Sequence, residues 1–263
     1  MLLAFNIGNT DISFCVYDGE TMRFSAEFST VTSRTADEYA VLLWQTFTLR
    51  GFDPASITDV IIASVVPSLD DTIRAAVAHF TPCKPAFVGA GMKTGLRIRI
   101  ETPSQLGADL VALACGARRY TDGACVIASF DTATTLTVLE SAGTVAGAII
   151  MPGVLTSARA LERDTAQLTE ISLSSAPIRR VIGRSTAEAM RSGLLLGCAA
   201  QTDGMISRIS DELGCPPSDL SLFAAGKYAP YIVPHCKSAF RHTPHLLFEG
   251  LFDLFERNAE HHP

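Results

Sequence analysis

The sequence predicts an α/β protein made of two copies of one unit, each with a mixed sheet flanked by helices. Each copy begins with an apolar strand, a polar turn, a second strand, a tight turn and a third strand. The first set covers residues 2–28, and the second covers residues 124–150. Helical segments follow each set, and strands that alternate with helices are typical of α/β layers. We therefore expect two domains, residues 1–120 and 121–263.

The composition excludes several classes of protein. Of the 263 residues, 48% are hydrophobic and 18% are charged, which is enough apolar material for one large core or two smaller ones. The net charge of -6, without a Lys/Arg cluster, argues against nucleic acid or an anionic membrane as the main partner. The seven cysteines form no C-x-x-C pair and are interpreted as buried thiols of a reducing compartment. Because neither a signal peptide nor a transmembrane segment is indicated, we expect a cytoplasmic protein.

Local signals define the individual elements. The pair Asp18-Gly19 predicts a hairpin between the second and third strands. The segment Thr35-Ala36-Asp37-Glu38 has the pattern of a helix start. The remaining segments are interpreted as strands at 59–66, 86–89 and 220–225, and as helices at 35–50, 109–120, 186–213 and 246–258.

Two turns are candidates for phosphate binding. Gly8-Asn9-Thr10 and Thr132-Ala133-Thr134-Thr135 each join the first two strands of a unit. Such turns present backbone N–H groups and hydroxyls, and two of them facing across a cleft between domains could hold the phosphates of a nucleotide. Taken alone, the first turn is more simply interpreted as a hairpin turn. Its repetition in the second half favours phosphate binding.

Several motifs, in order along the chain, resemble those of type III pantothenate kinases. Asn6-Ile7-Gly8-Asn9-Thr10 is similar to the family's D-x-G-N-T, and Ser129-Phe130-Asp131-Thr132-Ala133-Thr134-Thr135 is similar to its D-F-G-T-A-T-T. Gly107-Ala108-Asp109-Leu110 resembles its G-A-D-R, Met151-Pro152-Gly153 its A-P-G, and residues 185–193 its N-T-x-x-A-M-x-S-G. Shorter similarities at 64–67, 165–168 and 249–251 extend the resemblance over nearly the whole chain.

The resemblance implies a fold, a reaction and an assembly. The fold would be the actin-like ATPase fold, in which a ribonuclease H-like domain is duplicated. The reaction would be transfer of the γ-phosphoryl group of ATP to the 4′-hydroxyl of pantothenate, the first step of coenzyme A synthesis. Mg²⁺ would accompany ATP, and in some members a monovalent cation, K⁺ or NH₄⁺, is also bound. The family works as a homodimer.

The resemblance also assigns roles to individual residues. Asp109 matches the catalytic base, although an aspartate at a helix start is also interpreted as a helix cap. Thr186 matches a threonine that reaches the substrate from the partner subunit, with a helix cap near Glu188 as the alternative. The implied nucleotide contacts are Asn6, Gly8, Asn9, Thr10, Asp131, Thr132, Thr134 and Gly226. The implied substrate contacts are Gly107, Ala108, Leu110 and Thr186, and the implied metal contacts, expected to be weak, are Asn6, Ser129 and Asp131.

The chain departs from the family at functional positions. Asn6 and Ser129 stand where the family has aspartates, which predicts weaker Mg²⁺ binding. Asp131 replaces a glycine two residues after Ser129, and the two-residue repeat of a strand predicts that both face the same side. Asp131 is therefore interpreted either as the motif's carboxylate relocated toward the turn or as bulk and like charge where ATP would approach. Leu110 replaces an arginine that meets the substrate carboxylate, a contact worth about 1.5 to 3 kcal/mol. Lys227 replaces the second glycine of a G-G pair beside adenosine.

Three functions follow from these observations. The leading hypothesis is a pantothenate kinase with unusual metal and nucleotide contacts. The second is a non-catalytic paralogue, a pseudoenzyme that acts as a regulatory or partner-binding dimer, similar to the Bvg accessory factor branch of the superfamily. The third is a kinase for a different, less acidic hydroxyl substrate, which Leu110 suggests.

Overall fold

The computed structural model describes residues 1–168, 170–173 and 178–259. In this part of the chain there are eleven β-strands and eight α-helices. The strands are β1 (Leu2–Ile7), β2 (Asp11–Asp18), β3 (Thr21–Ser29), β4 (Asp59–Ser64), β5 (Ala86–Phe87), β6 (Arg97–Ile98), β7 (Cys125–Phe130), β8 (Ala133–Glu140), β9 (Thr144–Pro152), β10 (Ser221–Ala225) and β11 (Arg241–His242). The helices are α1 (Ala36–Leu49), α2 (Asp70–Val77), α3 (Ala108–Arg118), α4 (Val154–Asp164), α5 (Thr186–Arg191), α6 (Gly197–Leu213), α7 (Ala229–Ile232) and α8 (Leu246–Ala259).

The chain forms two compact units, and neither is continuous in sequence. Unit 1 contains Met1–Gly95, Thr102–Gly116 and the chain from Leu247 onward, whereas unit 2 contains Leu96–Glu101 and Ala117–Leu246. The sequence predicts two continuous halves that meet at residue 120. The structure differs in two places: α8 belongs to unit 1, and the segment around β6 belongs to unit 2.

Unit 1 is built on a five-stranded mixed sheet with the order β3-β2-β1-β4-β5. β1 pairs antiparallel with β2 and parallel with β4, so β1 lies in the centre. Phe14 is the hub of its aromatic core, with ring centroids 5.5 Å from those of Phe5 and Phe28 and 5.9 Å from that of Phe47 on α1. These contacts pack α1 against one face of the sheet.

The start of α1 is set by a capping box. The backbone N–H of Glu38 donates to the Thr35 hydroxyl at 3.3 Å, and the Thr35 N–H donates to the Glu38 carboxylate at 2.7 Å. Two backbone donors that lack helical partners are satisfied by this exchange. The helix start predicted at Thr35 is therefore confirmed.

Close packing of backbones explains why α8 belongs to unit 1. A Cβ atom on Gly250 of α8 would lie 1.7 Å from the carbonyl oxygen of Ala112 and 2.8 Å from the backbone nitrogen of Gly116, both on α3. Only glycine allows the two helices to approach this closely. The ring of Phe252 on α8 also lies 4.9 Å from the ring of Tyr17 on β2. The last helix thus completes the first unit.

We expect Gly250→Ala to lower the free energy of unfolding by about 2 to 4 kcal/mol, because the added methyl group forces α8 away from α3. Chemical denaturation measures the change. The matched control is Gly204→Ala on α6, where the nearest atom to an added Cβ, Arg208 Nη1, is 3.5 Å away. That substitution should leave stability unchanged or raise it by up to about 1 kcal/mol. Equal effects of the two substitutions would contradict the packing argument.

Unit 2 repeats the topology of unit 1. Its sheet has the order β11-β10-β7-β8-β9-β6, so β7 to β11 correspond to β1 to β5 in the same spatial order. β7 pairs antiparallel with β8 and parallel with β10, as β1 does with β2 and β4. The internal duplication indicated by the repeated strand pattern is therefore present in the sheet.

β6 is an addition to the outer edge of the second sheet. It pairs parallel with β9, with Arg97 opposite Thr144 and Ile98 opposite Val145. The side chain of Arg99 contacts the carboxylate of Glu140 at the same edge. Pairing to β9 places this short segment in unit 2, although it precedes the predicted boundary in the sequence.

Helices α5 and α6 form one continuous helical stretch. A π-helical segment, Ser192–Leu196, joins them, so helical structure runs from Thr186 to Leu213 as predicted. Gly214, with φ +65°, ends α6 in the left-handed conformation that glycine adopts without strain.

Asp203 on α6 anchors the chain just before β11. Its carboxylate accepts hydrogen bonds from the backbone N–H groups of Lys237 at 2.7 Å and Ser238 at 2.9 Å. Burial by itself would raise the pKa of Asp203, but these donors and the nearby Lys237 charge hold the pKa below its usual value. A carboxyl group with a lowered pKa stabilises the fold in its charged form.

We expect Asp203→Asn to lower the free energy of unfolding by about 1 kcal/mol at pH 7, since the group is largely exposed and its contacts are screened. The wild-type advantage should be complete above the unfolded pKa of about 3.9 and should disappear as the pH falls through the lower folded pKa. Chemical denaturation of both proteins between about pH 2.5 and 7 measures how the difference in their free energy of unfolding changes with pH. Asp211→Asn removes one carboxylate from the same helix and is the control for loss of charge; a constant Asp203 effect at all pH values would contradict the assignment.

Candidate functional site

The first predicted turn lies between β1 and β2 of unit 1. The Gly8 N–H donates to the carbonyl oxygen of Asp11 at 3.0 Å, and the Thr30 hydroxyl donates to the Gly8 carbonyl at 2.6 Å. A Cβ at Gly8 would lie 2.9 Å from the Asp11 oxygen, so the turn has no space for a side chain there. Asn9 is exposed and Thr10 is half-buried. The predicted residues of this motif thus lie together at one accessible turn.

Asn6 and Ser129 occupy equivalent positions in the two units. Asn6 is the last residue but one of β1 and lies opposite Ser13, and Ser129 is the last but one of β7 and lies opposite Thr135. The Oδ1 atom of Asn6 is buried and has no hydrogen-bond partner among the described residues. Because an unpaired buried acceptor is costly, this oxygen is suited to receive a donor from outside the protein.

Asp109 lies in the first turn of α3, beside the end of β1. The Val65 N–H donates to the carbonyl oxygen of Ile7 at 3.0 Å, and a Cβ on Gly107 would lie 3.5 Å from Val65 Cγ1 and 2.4 Å from Asp109 Oδ1. Asp109 is half-buried, and its Oδ1 accepts the N–H of the next residue at 2.8 Å. An N-cap side chain accepts from an N–H two or three positions further on, whereas Asp109 is the second residue of α3 and accepts from its immediate neighbour, so this hydrogen bond is not a helix-cap bond. Through Gly107 and Val65, these contacts connect the start of α3 to the end of β1.

Leu110 has a different environment from Asp109. Its side chain is buried, with 7% of its surface exposed, whereas its neighbour Ala108 at the start of α3 is half-buried. A leucine side chain offers no charge and no hydrogen bond to a substrate carboxylate. The position therefore contributes apolar packing in this chain.

The second predicted turn lies between β7 and β8 of unit 2. The Asp131 N–H donates to the Ala133 carbonyl at 3.1 Å, and Asp131 and Thr132 are both exposed. The carbonyl oxygen of Thr132 accepts the Gly153 N–H at 3.2 Å and the Thr156 hydroxyl at 2.6 Å. The start of α4 is thereby held against this turn.

The Asp131 carboxylate is held by donors from two strand ends. Its Oδ2 accepts the Ser129 hydroxyl at 2.9 Å, and its Oδ1 accepts the backbone N–H of Lys227 at 2.8 Å. Gly226, with φ +92°, follows β10, and a Cβ there would lie 2.6 Å from both Asp131 Oδ2 and the Phe130 nitrogen. The structure therefore brings together Ser129, Asp131 and Gly226, all of which the sequence indicates as site residues.

Thr134 is separated from this exposed turn. It is 1% exposed, and its hydroxyl oxygen lies 3.8 Å from the sulfur of Cys198 on α6. Because β8 is pleated, the side chain of Thr134 points into the core of unit 2 instead of toward the turn. Of the two predicted threonines, only Thr132 is accessible.

Thr186 begins α5 but does not cap it. The cap is Ser185, whose hydroxyl accepts the Glu188 N–H at 3.3 Å, so the helix-cap alternative for Thr186 is wrong. Thr186 instead lines a groove of about 400 Å³ in unit 2. The other lining residues are Leu161, Leu168, Ala189, Met190, Gly193 and Leu194. The groove is apolar except for the threonine hydroxyl.

Sequence reasoning missed the contact between Asp131 and Lys227. The two-residue spacing of Ser129 and Asp131 indicates a shared side of the strand, and the hydrogen bond between them agrees with that. No signal in the sequence links Asp131 to a residue that follows a strand 90 positions later.

Among the described residues, no three His, Cys, Asp or Glu side chains are grouped as a metal site, and no helix is long and apolar enough to cross a membrane.

The fold first defines a class. Two copies of a mixed sheet flanked by helices, each with a polar turn after its first strand, form the actin-like ATPase fold that is shared with sugar kinases. The family model described as type III pantothenate kinase matches residues 2–208. The chain belongs to the type III pantothenate kinase family.

Curated relatives match almost the whole chain. A type III pantothenate kinase of Anaeromyxobacter sp. is 39% identical over 258 residues, which cover 98% of this chain and 100% of the relative. The type III pantothenate kinase of Paramagnetospirillum magneticum is 36% identical and covers 98% of both chains. The resemblance inferred from the motifs is therefore confirmed.

Solved structures share the fold at low sequence identity. A Campylobacter jejuni protein assigned to the Baf family of transcriptional activators has a TM-score of 0.60 at 17% identity and covers 98% of this chain and 99% of its own. The ROK hexokinase of Thermus thermophilus has a TM-score of 0.50 at 14% identity and covers 97% of each chain. These similarities support the fold class alone.

The two threonines of the second motif should respond differently to loss of the hydroxyl. We expect Thr132→Val to weaken ATP binding, because Thr132 is exposed at the turn, and Thr134→Val to leave it unchanged. Equilibrium titration with ATP measures both variants, and each serves as the isosteric control for the other. Weaker binding by Thr134→Val alone would show that the buried hydroxyl acts in the site.

Proposed function

We propose that this protein transfers the γ-phosphoryl group of ATP to the 4′-hydroxyl of pantothenate. The observation that carries the proposal is the position of Asp109, half-buried in the first turn of α3 and beside the end of β1. Membership of a family of pantothenate kinases supports the choice of donor and acceptor. The altered motifs predict weaker nucleotide and metal contacts.

Asp109 would act as the base of this reaction. Phosphoryl transfer requires positioning and charge neutralisation, with a carboxylate to accept the proton of the attacking hydroxyl. As the hydroxyl oxygen bonds to the γ-phosphorus, the bond to the β,γ-bridging oxygen breaks and ADP leaves. The hydrogen bond from the Leu110 N–H to Oδ1 would hold the carboxylate in one orientation.

Each of the two turns has groups that suit phosphate oxygens. Gly8, Asn9 and Thr10 would offer backbone N–H groups and polar side chains to the phosphates, and Thr132 would do so at the second turn. Gly226 is the proposed nucleoside contact of unit 2, and the Asp131 carboxylate takes the space where a side chain on Gly226 would lie.

Mg²⁺ would be held mainly by ATP and water. This ion keeps several waters and binds through few protein ligands, so a grouped set of carboxylates is unnecessary. The buried Oδ1 of Asn6 fits this arrangement because it has no partner among the described residues and could accept a hydrogen bond from a metal-bound water. The bound ion would neutralise phosphate charge. Ser129, at the equivalent position of the second motif, is the proposed contact for K⁺ or NH₄⁺.

A homodimer would complete the substrate site. Thr186 lies in an apolar groove, and the preceding Val181 and Ile182 are 75% and 83% exposed. Exposed aliphatic side chains beside an apolar groove are typical of a surface that another protein covers. We propose a second copy of this chain as the occupant, with Thr186 contacting the substrate of its partner.

A second candidate function rests on Leu110. Because the residue is buried and apolar, the substrate carboxylate has no charged partner at this position. A less acidic alcohol is therefore a candidate acceptor. Comparing pantothenate with pantothenyl alcohol, which lacks the carboxylate, distinguishes the two: similar kcat/KM values for both compounds would favour the less acidic substrate class.

The primary test is a coupled ADP-release assay with ATP, Mg²⁺ and pantothenate, with and without K⁺. We expect pantothenate-dependent turnover that falls about 100-fold or more in Asp109→Asn. Asp71→Asn, which removes an exposed acid from the first turn of α2 in the same unit, is the matched control and should retain full activity. No turnover with any acceptor at high ATP would reject catalysis and favour the non-catalytic, partner-binding alternative.

A further inference from the structure

Two residues that replace glycines of the family motifs contact each other. Asp131 is the third residue of the second phosphate motif and directly follows β7, and Lys227 stands in the turn after β10. The backbone N–H of Lys227 donates to Asp131 Oδ1 at 2.8 Å. Both residues belong to unit 2. The two departures therefore form one structural feature.

The donors around the Asp131 carboxylate form an anion-binding arrangement. A hydroxyl from Ser129 and a backbone N–H from Lys227 point at the two carboxylate oxygens from different strand ends. Gly226, in its left-handed conformation, directs the Lys227 N–H inward, and its own lack of a side chain admits the carboxylate. A backbone N–H and a hydroxyl that converge in this way are donors that a phosphate oxygen can also accept from. Here an aspartate of the chain itself fills the arrangement.

We propose that the Asp131 carboxylate is an internal anion that occupies a phosphate-type site at the end of β7 and sets a low affinity for polyphosphate ligands. The inference rests on the proposed function in that it takes the second motif as a nucleotide-phosphate site. Asp131 is then a specificity-determining residue of this chain. Its negative charge repels the phosphates of a ligand. Its oxygens also accept the hydrogen bonds that the Ser129 hydroxyl and the Lys227 N–H could otherwise donate to a phosphate oxygen.

The contacts favour this role over that of a metal ligand. Both carboxylate oxygens already accept hydrogen bonds from the protein, from the Ser129 hydroxyl and the Lys227 N–H. A metal ligand would strengthen ATP binding through the ion, whereas an internal anion weakens it. The two roles therefore predict changes of opposite sign when the charge is removed.

Equilibrium titration of the purified protein with ATP, inorganic tripolyphosphate and adenosine tests the inference. We expect Asp131→Asn and Asp131→Gly to bind ATP and tripolyphosphate about three- to tenfold more tightly than the wild type, with a gain that shrinks at high salt. Adenosine affinity should stay the same because adenosine carries no charge. The glycine variant provides a second measurement if the amide disturbs the turn.

The charge control is Asp219→Asn, at the opposite end of β10, which removes one negative charge from the same unit and should change none of the affinities. Unchanged or weaker ATP binding in both Asp131 variants, or no ATP binding by any variant, would overturn the inference. Loss of Mg²⁺- or K⁺-dependent binding would assign Asp131 to a cation instead. A gain in affinity without any phosphorylation of pantothenate would reject the proposed function alone, whereas turnover with unchanged affinity would reject only the inference.

Discussion

The burial of one central strand in each unit is the constraint on which the rest of the structure depends. All six residues of β7 and five of the six residues of β1 are buried. The backbone N–H and C=O groups of such strands have no access to water and must pair with neighbouring strands on both sides. Polar residues are therefore concentrated where the strand ends. The duplicated polar turns are a direct consequence.

Close contacts between backbone atoms fix the conformation of the two polar turns. A side chain on Gly8, Gly153 or Gly226 would collide with backbone atoms at the two turns. At the second turn the Gly153 N–H reaches the Thr132 carbonyl, and the Tyr228 N–H reaches the Phe130 carbonyl at 2.9 Å. These bonds hold the ends of β7, β10 and the start of α4 together. The accessible groups of the second turn, Asp131 and Thr132, are displayed on a rigid frame.

The location of the altered motif residues explains how the fold can stay intact while the charge and hydrogen bonding of the site change. Asn6, Ser129, Asp131 and Lys227 all lie at strand ends, outside the aromatic and aliphatic cores that hold each unit together. Substitutions there alter charge and hydrogen bonding without altering the pairing of the buried strands. Leu110 is the exception, since it is itself buried. The altered motif positions thus adjust binding within an intact architecture.

Most of the secondary structure could be predicted from the sequence, because its signals are local. The capping box at Thr35, the hairpin at Asp18-Gly19 and the alternating strands all act within a few residues, and each named element lies within about two residues of its prediction. The motif order likewise identified the family and the position of Asp109 at a helix start. These features depend on backbone geometry and side-chain type, which the sequence contains.

Other features were decided only by tertiary packing. α8 belongs to the first unit because Gly250 meets α3, and Thr134 is buried because α6 covers its side of β8. The contact of Asp131 with Lys227 joins residues that are 96 positions apart. Such contacts depend on which elements meet in space, and no local pattern encodes that. By itself the sequence determined the repeated units, the turns and the family, and the tertiary structure decided which polar groups remain accessible and which anion the second turn holds.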